Sequence, residues 1–193
     1  APPKRPPLPT IPPELDALPI WKMGAPALVA MLKDPKSTLF QKAIACKKLS
    51  ISGGKDAIPP MAALLSHPQL SCYARFGMEP NPDPSVDDAF RAALPKLSGK
   101  LQIGVINSIG VRRDAKAVGA LAKLLEHSDT EIAQSAAASL GMIGGHEASR
   151  ALQAALRQTQ SPVFPVAARA MLLCAEDVIV KDRAHGLTLY REL

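Results

Sequence analysis

The sequence predicts an all-α protein: a right-handed α-α superhelix of about five helical hairpins, preceded by a proline-rich arm. Three observations predict it. Hydrophobic residues make up 47% of the 193 residues while aromatics reach only 4%, so the apolar content is mainly alanine and leucine, which suits close helix packing. A leucine-bearing segment recurs about every 31 residues. Glycine, proline and aspartate cluster between the recurring segments, where turns belong. The expected organisation is an extended arm over residues 1–19 and a solenoid over residues 20–193.

The arm comes first. Eight of its nineteen residues are proline (Pro2, Pro3, Pro6, Pro7, Pro9, Pro12, Pro13 and Pro19), which removes the N–H donors that a helix or a central strand requires. An extended polyproline-like segment is expected. Leu8, Ile11, Leu15 and Leu18 give it more apolar surface than a spacer needs, so the arm is expected to dock on the solenoid end or along a partner.

The repeat is read from two superimposable runs, Ala57–His67 and Ala117–His127, with Ala148–Leu156 and Ala89–Leu97 keeping the same spacing. One column reads Leu32, Leu65, Leu97, Leu125 and Leu156, separated by 33, 32, 28 and 31 residues. Four positions earlier stand Leu28, Met61, Ala93, Leu121 and Leu152. Residues at i and i+4 share a helix face, so one amphipathic helix recurs and the five leucines are expected to be buried in one continuous core. A second column of helices ends on Leu49, Met78, Ile109, Leu140 and Leu172, with the small residues Ala45, Ala74, Val105, Ala136 and Ala168 four positions before. Small residues at a fixed place let neighbouring helices approach. Turns are expected at Ser52–Asp56, at the proline-rich Glu79–Pro84, at Gly110–Asp114 and at Gly144–Gly145, the last suited to a positive-φ helix end. Asp129 and Ser37 are the expected N-caps.

The net charge of +6 has an address. Residues 1–55 carry nine basic residues against Glu14, Asp16 and Asp34, whereas the remainder is balanced at 14 of each sign. A basic N-terminal third suits an acidic partner, a phosphate backbone or an anionic surface. No apolar run approaches the ~20 residues that span a bilayer. A soluble protein is expected, exported if Ala1 is a processed N-terminus and cytoplasmic otherwise. Cys46, Cys72 and Cys174 form no CxxC pair and are read as small buried hydrophobes.

The run Leu140-Gly141-Met142-Ile143-Gly144-Gly145-His146-Glu147-Ala148, with Asp56-Ala57-Ile58-Pro59 and Asp129-Thr130-Glu131-Ile132-Ala133, resembles the short bacterial HEAT repeats called PBS-lyase HEAT-like. That motif is an alanine-rich helix, A-L-G-x-I-G, a short turn, then D/E-A-V-P and a leucine helix. The likeness covers roughly residues 25–193. It implies a HEAT-like, armadillo-like solenoid. For activity it implies either an interaction module or, as in some relatives, a protein that attaches or detaches bilin chromophores. The family often carries an arginine ladder between repeats; Ala133 and Gln134 stand at its place here.

A search for chemistry returns little. His67, His127, His146 and His185 form no HExxH or Cys/His spacing, no serine sits in GxSxG, and Gly141, Gly144 and Gly145 follow a helix where a phosphate loop precedes one. Asp87 and Asp88 are adjacent and diverge on a helix. Cys46 beside Lys47 and Lys48 is the nearest approach to an activated thiol, but sequence neighbours do not face each other on a helix. No catalytic, cofactor-binding or metal-ligating residue is therefore expected, and no cofactor. The candidate partner or anion contacts are Lys4, Arg5, Lys47, Lys48, Arg112 and Arg113. The leading expectation is a non-catalytic scaffold or accessory subunit that binds another protein or a multi-subunit complex. Nucleic-acid binding through the basic N-terminal third is the alternative, and a bilin lyase-like or other cofactor-handling enzyme the third.

Overall fold

A computed structural model of the chain describes residues 16–191, and within them every regular element is helical. A short helix α1 (Leu18–Trp21) and helix α2 (Ala25–Lys33) lead into the array. Five first helices follow: α3 (Leu39–Ser52), α5 (Ser71–Met78), α7 (Gly99–Val111), α9 (Thr130–Ile143) and α11 (Phe164–Lys181). They alternate with the second helices α4 (Ile58–Ala62), α6 (Ser85–Ala93), α8 (Val118–Leu124), α10 (Gly145–Leu156) and α12 (Arg183–Arg191). Each first helix packs on the next, from α3 on α5 through to α9 on α11. Helices α2, α4, α6, α8 and α10 form a second layer, each packed on the first helix that follows it. The result is a helical solenoid with one core running between two layers.

The columns read from the sequence locate that core, with shifts of register. Leu28, Met61, Leu121 and Leu152 are wholly buried. Of the leucine column one turn later, Leu32 and Leu65 are buried, but Leu97, Leu125 and Leu156 are only half-buried against the core. Those three lie at or just beyond helix ends, where the chain turns towards solvent. In the third unit Val86, Phe90 and Leu94 are the buried residues, at the places of Ala57, Met61 and Leu65. A 3-10 turn over Leu94–Lys96 closes α6 and carries Leu97 past it, and with Leu94 in the column the separations become 33, 29, 31 and 31. The fifth unit shifts by one: Ala167 and Met171 are buried, while Ala168 is half-buried and Leu172 is 43% exposed. The buried face of α11 continues through Cys174, Ala175 and Val178, a 3.6-residue period that fixes which residue of each neighbouring pair turns inward.

Helix ends follow local chemistry. Asp129 caps α9, its Oδ1 accepting from the N–H groups of Glu131 (2.9 Å) and Ile132 (3.4 Å). At α3 the cap is Thr38 and not Ser37: Thr38 Oγ1 accepts from Gln41 N–H (3.2 Å) while Gln41 Oε1 accepts from Thr38 N–H (2.8 Å), a capping box that only the residue three before Gln41 can make. The expected end of the arm at residue 19 falls inside α1, where Pro19 occupies the first turn and its missing N–H is not needed. The rest of the arm through Leu15, with Lys4 and Arg5, lies outside the described residues.

Replacing Leu121 with Ala is expected to lower the unfolding free energy by ~2–5 kcal/mol, as for a fully buried leucine. Leu125→Ala should give a clearly smaller loss, about 1 kcal/mol, in line with its partial burial. Urea denaturation of both variants checks the order, and equal losses would contradict this register.

Candidate interaction surface

The two arginines read as anion contacts have different fates. Arg112 is consumed inside the molecule. Its Nη1 donates to the carbonyls of Glu79 and Asn81, each at 2.7 Å, and its Nε and Nη2 grip the two oxygens of Asp87. Only 10% of its side chain is exposed, so it offers no donor to a partner. The reason lies in the proline-rich turn between α5 and α6: with carbonyls unpaired by helix or sheet, that segment needs donors from outside. Asn81 ties the same turn back to the first unit, donating from Nδ2 to the carbonyl of Gly53 (3.2 Å). Arg91 completes the seam by bonding both Asp88 and the buried Asp114. Asp87 and Asp88 thus diverge to separate arginines, as their adjacency implies.

Arg113 remains exposed, with a guanidinium bonded to nothing among the described residues. Its backbone is the notable part. It has φ of +53°, its N–H donates to Gly110 O (2.9 Å), and the N–H of Asp114 reaches back to Ile109 O (3.2 Å). Those two bonds are a Schellman helix end, whose left-handed position normally belongs to glycine. The repeat-equivalent residue in the next unit is Gly144, at φ +71°. Arg113 flanks a cavity of about 380 Å³ between α9 and α11, lined also by Met142, Leu173, Glu176, Asp177 and Val180.

Lys47 is exposed on the outer face of α3, whereas the Lys48 ammonium sits 5.4 Å from the centre of the Trp21 ring and fastens α1 to α3 by a cation–π contact. The cysteines split. Cys46 and Cys174 are buried, and burial first of all pushes each thiol up to about 12, helped by the nearby Cys72 in one case and Asp177 in the other. Cys72, expected to be buried, is exposed on α5, where Ser71, Ala74, Gly77 and Met78 take the buried places. His67 and His127 accept N–H bonds through Nδ1. His67 takes those of Gln69 (3.2 Å) and Leu70 (3.3 Å), and His127 that of Asp129 (3.0 Å). The imidazole therefore closes the turn as an acceptor, which requires an unprotonated Nδ1. Among the described residues no group of three or more His, Cys, Asp or Glu side chains is placed to hold a metal ion.

A further column carries no motif in the sequence and emerges only with the structure. Two residues after the buried Leu49, Met78, Ile109, Leu140 and Met171 stand Ile51, Pro80, Val111, Met142 and Leu173. Ile51 is 77% exposed, Val111 58% and Leu173 44%; Pro80 is exposed and Met142 half-buried. Phe76 and Tyr73, one and two turns earlier on α5, widen the band. An apolar side chain therefore recurs at one place in every repeat, on the outer side of a first helix or just beyond its end. The shallow groove between α7 and α9, lined by Ile103, Asn107, Gln134, Ser135 and Ala138, belongs to the same face. Contiguous exposed apolar surface of this kind marks an interaction site more often than a solvated wall.

Comparison with known families matches residues 88–172, from α6 into α11, to the family model described as HEAT repeats. Comparison with curated proteins returns no match.

Two measurements test the assignments made for these side chains. Arg112→Ala should lower stability by about 3 kcal/mol, since it leaves Asp87 and two carbonyls without their donor, whereas Arg113→Gly should raise it by about 1 kcal/mol by relieving the left-handed backbone; thermal or urea unfolding reads both. In the folded chain at about pH 8, a thiol reagent should modify Cys72 alone, because Cys46 and Cys174 are buried and remain protonated until pH approaches their raised values. Three reactive thiols should appear only after denaturation, and faster modification of Cys46 than of Cys72 would contradict the burial described.

Proposed function

Because this chain is a HEAT-repeat protein, matched as such over residues 88–172, we propose that it is a non-catalytic scaffold or accessory subunit that binds another protein or a multi-subunit complex through its solenoid surface. The observation that carries the reading is the recurring apolar column of Ile51, Pro80, Val111, Met142 and Leu173, on or just beyond the first helices and exposed at all but the half-buried Met142. Solenoids bind through long surfaces built by repetition, and a side chain repeated at one register presents the same chemistry at each step. Burying such a column against a second protein removes apolar area from water at roughly 25 cal/mol per Å². No helix of the described residues is long and apolar enough to cross a membrane. A lipid span therefore gives no account of the band.

A tagged chain returned to its source cells and recovered under mild conditions is expected to carry a partner protein in fixed stoichiometry. That partner should be retained after nuclease treatment and lost when Val111 and Leu173 are changed together to Ser. Recovery of nucleic acid alone, released by salt in the manner of counterion exchange, would replace the protein-binding reading by the nucleic-acid one.

A further inference from the structure

Among the described residues Arg113 alone has a positive φ without being glycine. It holds +53° at the end of α7, where the next repeat uses Gly144 at +71°. A left-handed arginine is less stable than a left-handed glycine, and backbone strain of this kind persists chiefly where the side chain serves a site. No hydrogen bond or ion pair of the guanidinium among the described residues offsets it. Beside the guanidinium lies the cavity of about 380 Å³ between α9 and α11. Met142, Leu173 and Val180 supply its apolar lining, and Val180 is 84% exposed. Leu173, Glu176 and Val180 follow one another at intervals of three and four, so one stripe of α11 forms the far wall. The charged residues of the lining are Arg113, Glu176, Asp177 and Lys181. Asp177 and Lys181 hold each other at 3.1 Å, one turn apart on α11. Arg113 and Glu176 take part in no ion pair among the described residues. The cavity therefore has an apolar middle, with a free cation from the end of α7 on one side and a free anion from α11 on the other.

We propose that this cavity is the anchor point for the partner protein, a segment of which lays a large apolar side chain over Met142 and Leu173, a carboxylate on Arg113 and a cation on Glu176. The proposal rests on the protein-binding reading above and specifies where the partner is held and by what chemistry. A guanidinium takes a carboxylate through two parallel N–H bonds, which fixes the direction of the segment across the first helices. Arginine is among the residues that dominate an interface when apolar neighbours keep water out. The axes of α7 and α11 stand two helix spacings apart, about 16–20 Å. Roughly three to four turns of a partner helix laid across them carry all three groups, the acid and the base on opposite sides of the apolar residue.

The two free charges choose the occupant. A nucleic acid brings phosphates to both walls and meets Glu176 and Asp177 on one of them. A wholly apolar segment strips water from both charges and leaves them unpaired. A second copy turned about a two-fold axis through the cavity pairs Arg113 with Glu176, but covers only one end of the apolar column and leaves Ile51, Tyr73 and Phe76 in water. A partner lying along the column covers all of it.

The test is a display selection on the whole 193-residue chain with a library of random peptides of about 16 residues, long enough for four helical turns, followed by exchange of charge across the contact. Enriched peptides are expected to carry an acidic and a basic residue on opposite sides of an apolar one. Arg113→Glu should weaken their binding about tenfold or more, and changing the acid of the peptide to Lys should restore it. Glu176→Lys should act likewise, with recovery when the base of the peptide becomes Glu. Arg113→Gly should weaken binding to a similar degree while raising the unfolding midpoint, a combination that a residue kept for the fold does not give. Lys123→Glu, at an exposed lysine of α8, should change nothing. Unfolding curves at or above the parent's establish that the variants are folded. Winners without that charge pattern, no winners, binding indifferent to Arg113 and Glu176, or loss without recovery on charge exchange overturn the proposal. A partner protein recovered from the source cells by the parent and by the Arg113→Gly chain alike leaves the protein-binding reading standing, and only the assignment to this cavity fails. Displacement of the peptides by a single-stranded oligonucleotide assigns the cavity to nucleic acid. Tighter peptide binding on deletion of residues 1–15 assigns it to the arm, and self-association abolished by Arg113→Glu assigns it to a second copy; each of these results also overturns it.

Discussion

The close approach of consecutive first helices is the constraint on which the remaining architecture rests. A side chain on Gly141 would place its Cβ 2.8 Å from both Cα and Cβ of Ala170, so α9 and α11 touch almost backbone to backbone. The hydrogen bonds across these contacts confirm the spacing: Ser139 Oγ donates to Ile106 O at 3.0 Å, and Cys174 Sγ to Leu140 O at 3.6 Å. Only small residues in the facing column, such as Ala45, Ala74, Ala136 and Ala167, permit it. Once the inner residues are this close, the second layer bridges each pair from one side, and Ile51, Val111 and Leu173, two places beyond the core column, are left exposed among the described residues. The exposed apolar band is thus a geometric partner of the tight inner seam.

The junction between α5 and α7 departs from that pattern. The Arg75 guanidinium lies against Gly104, with Nη1 donating to Ser108 Oγ at 3.3 Å and a buried Nε that finds no hydrogen-bond partner among the described residues. Around it stand three ion pairs, Arg75 with Glu79, Arg112 with Asp87 and Arg91 with Asp114, with Asp114 only 6% and Arg112 only 10% exposed through their side chains. Buried charges of this kind add little net stability over an apolar contact, but each is expensive to leave unpaired, so the set holds one arrangement of the proline-rich turn against alternatives.

The solenoid is legible in the sequence because its evidence is periodic. The columns through Leu49, Ile109 and Leu140 need only counting, and the buried places of Leu28, Met61, Leu121 and Leu152 follow from an i, i+4 rule. What fails is local register. Leu97 gives way to Leu94 and Leu172 to Met171, because a 3-10 turn or one extra residue moves the inward face without altering the composition of the segment. The polar seam cannot be read at all, since Arg112 and Asp87, or Arg91 and Asp114, stand 25 and 23 residues apart, one of each pair on α6 and the other in the turn after α7. Arg113 draws notice for its charge, yet its backbone is the readable feature: it occupies the place that Gly144 fills one repeat later. The column Ile51, Pro80, Val111, Met142, Leu173 is equally open to counting, but its members lie off the core face, where single apolar residues are ordinary.

The mixed nature of the stacking has a consequence for shape. Apolar contact is non-directional, so the rotation between neighbouring hairpins at the tight steps is settled by side-chain volume. At the α5–α7 step it is settled by bond angles: a guanidinium fork on Asp87 and two carbonyls fixes direction as well as distance. The superhelix therefore has a pitch governed by two different physical quantities along its length. Apolar attraction weakens on cooling. Charge-assisted bonds do not share that dependence. Cooling is therefore expected to weaken the apolar steps more than the α5–α7 step.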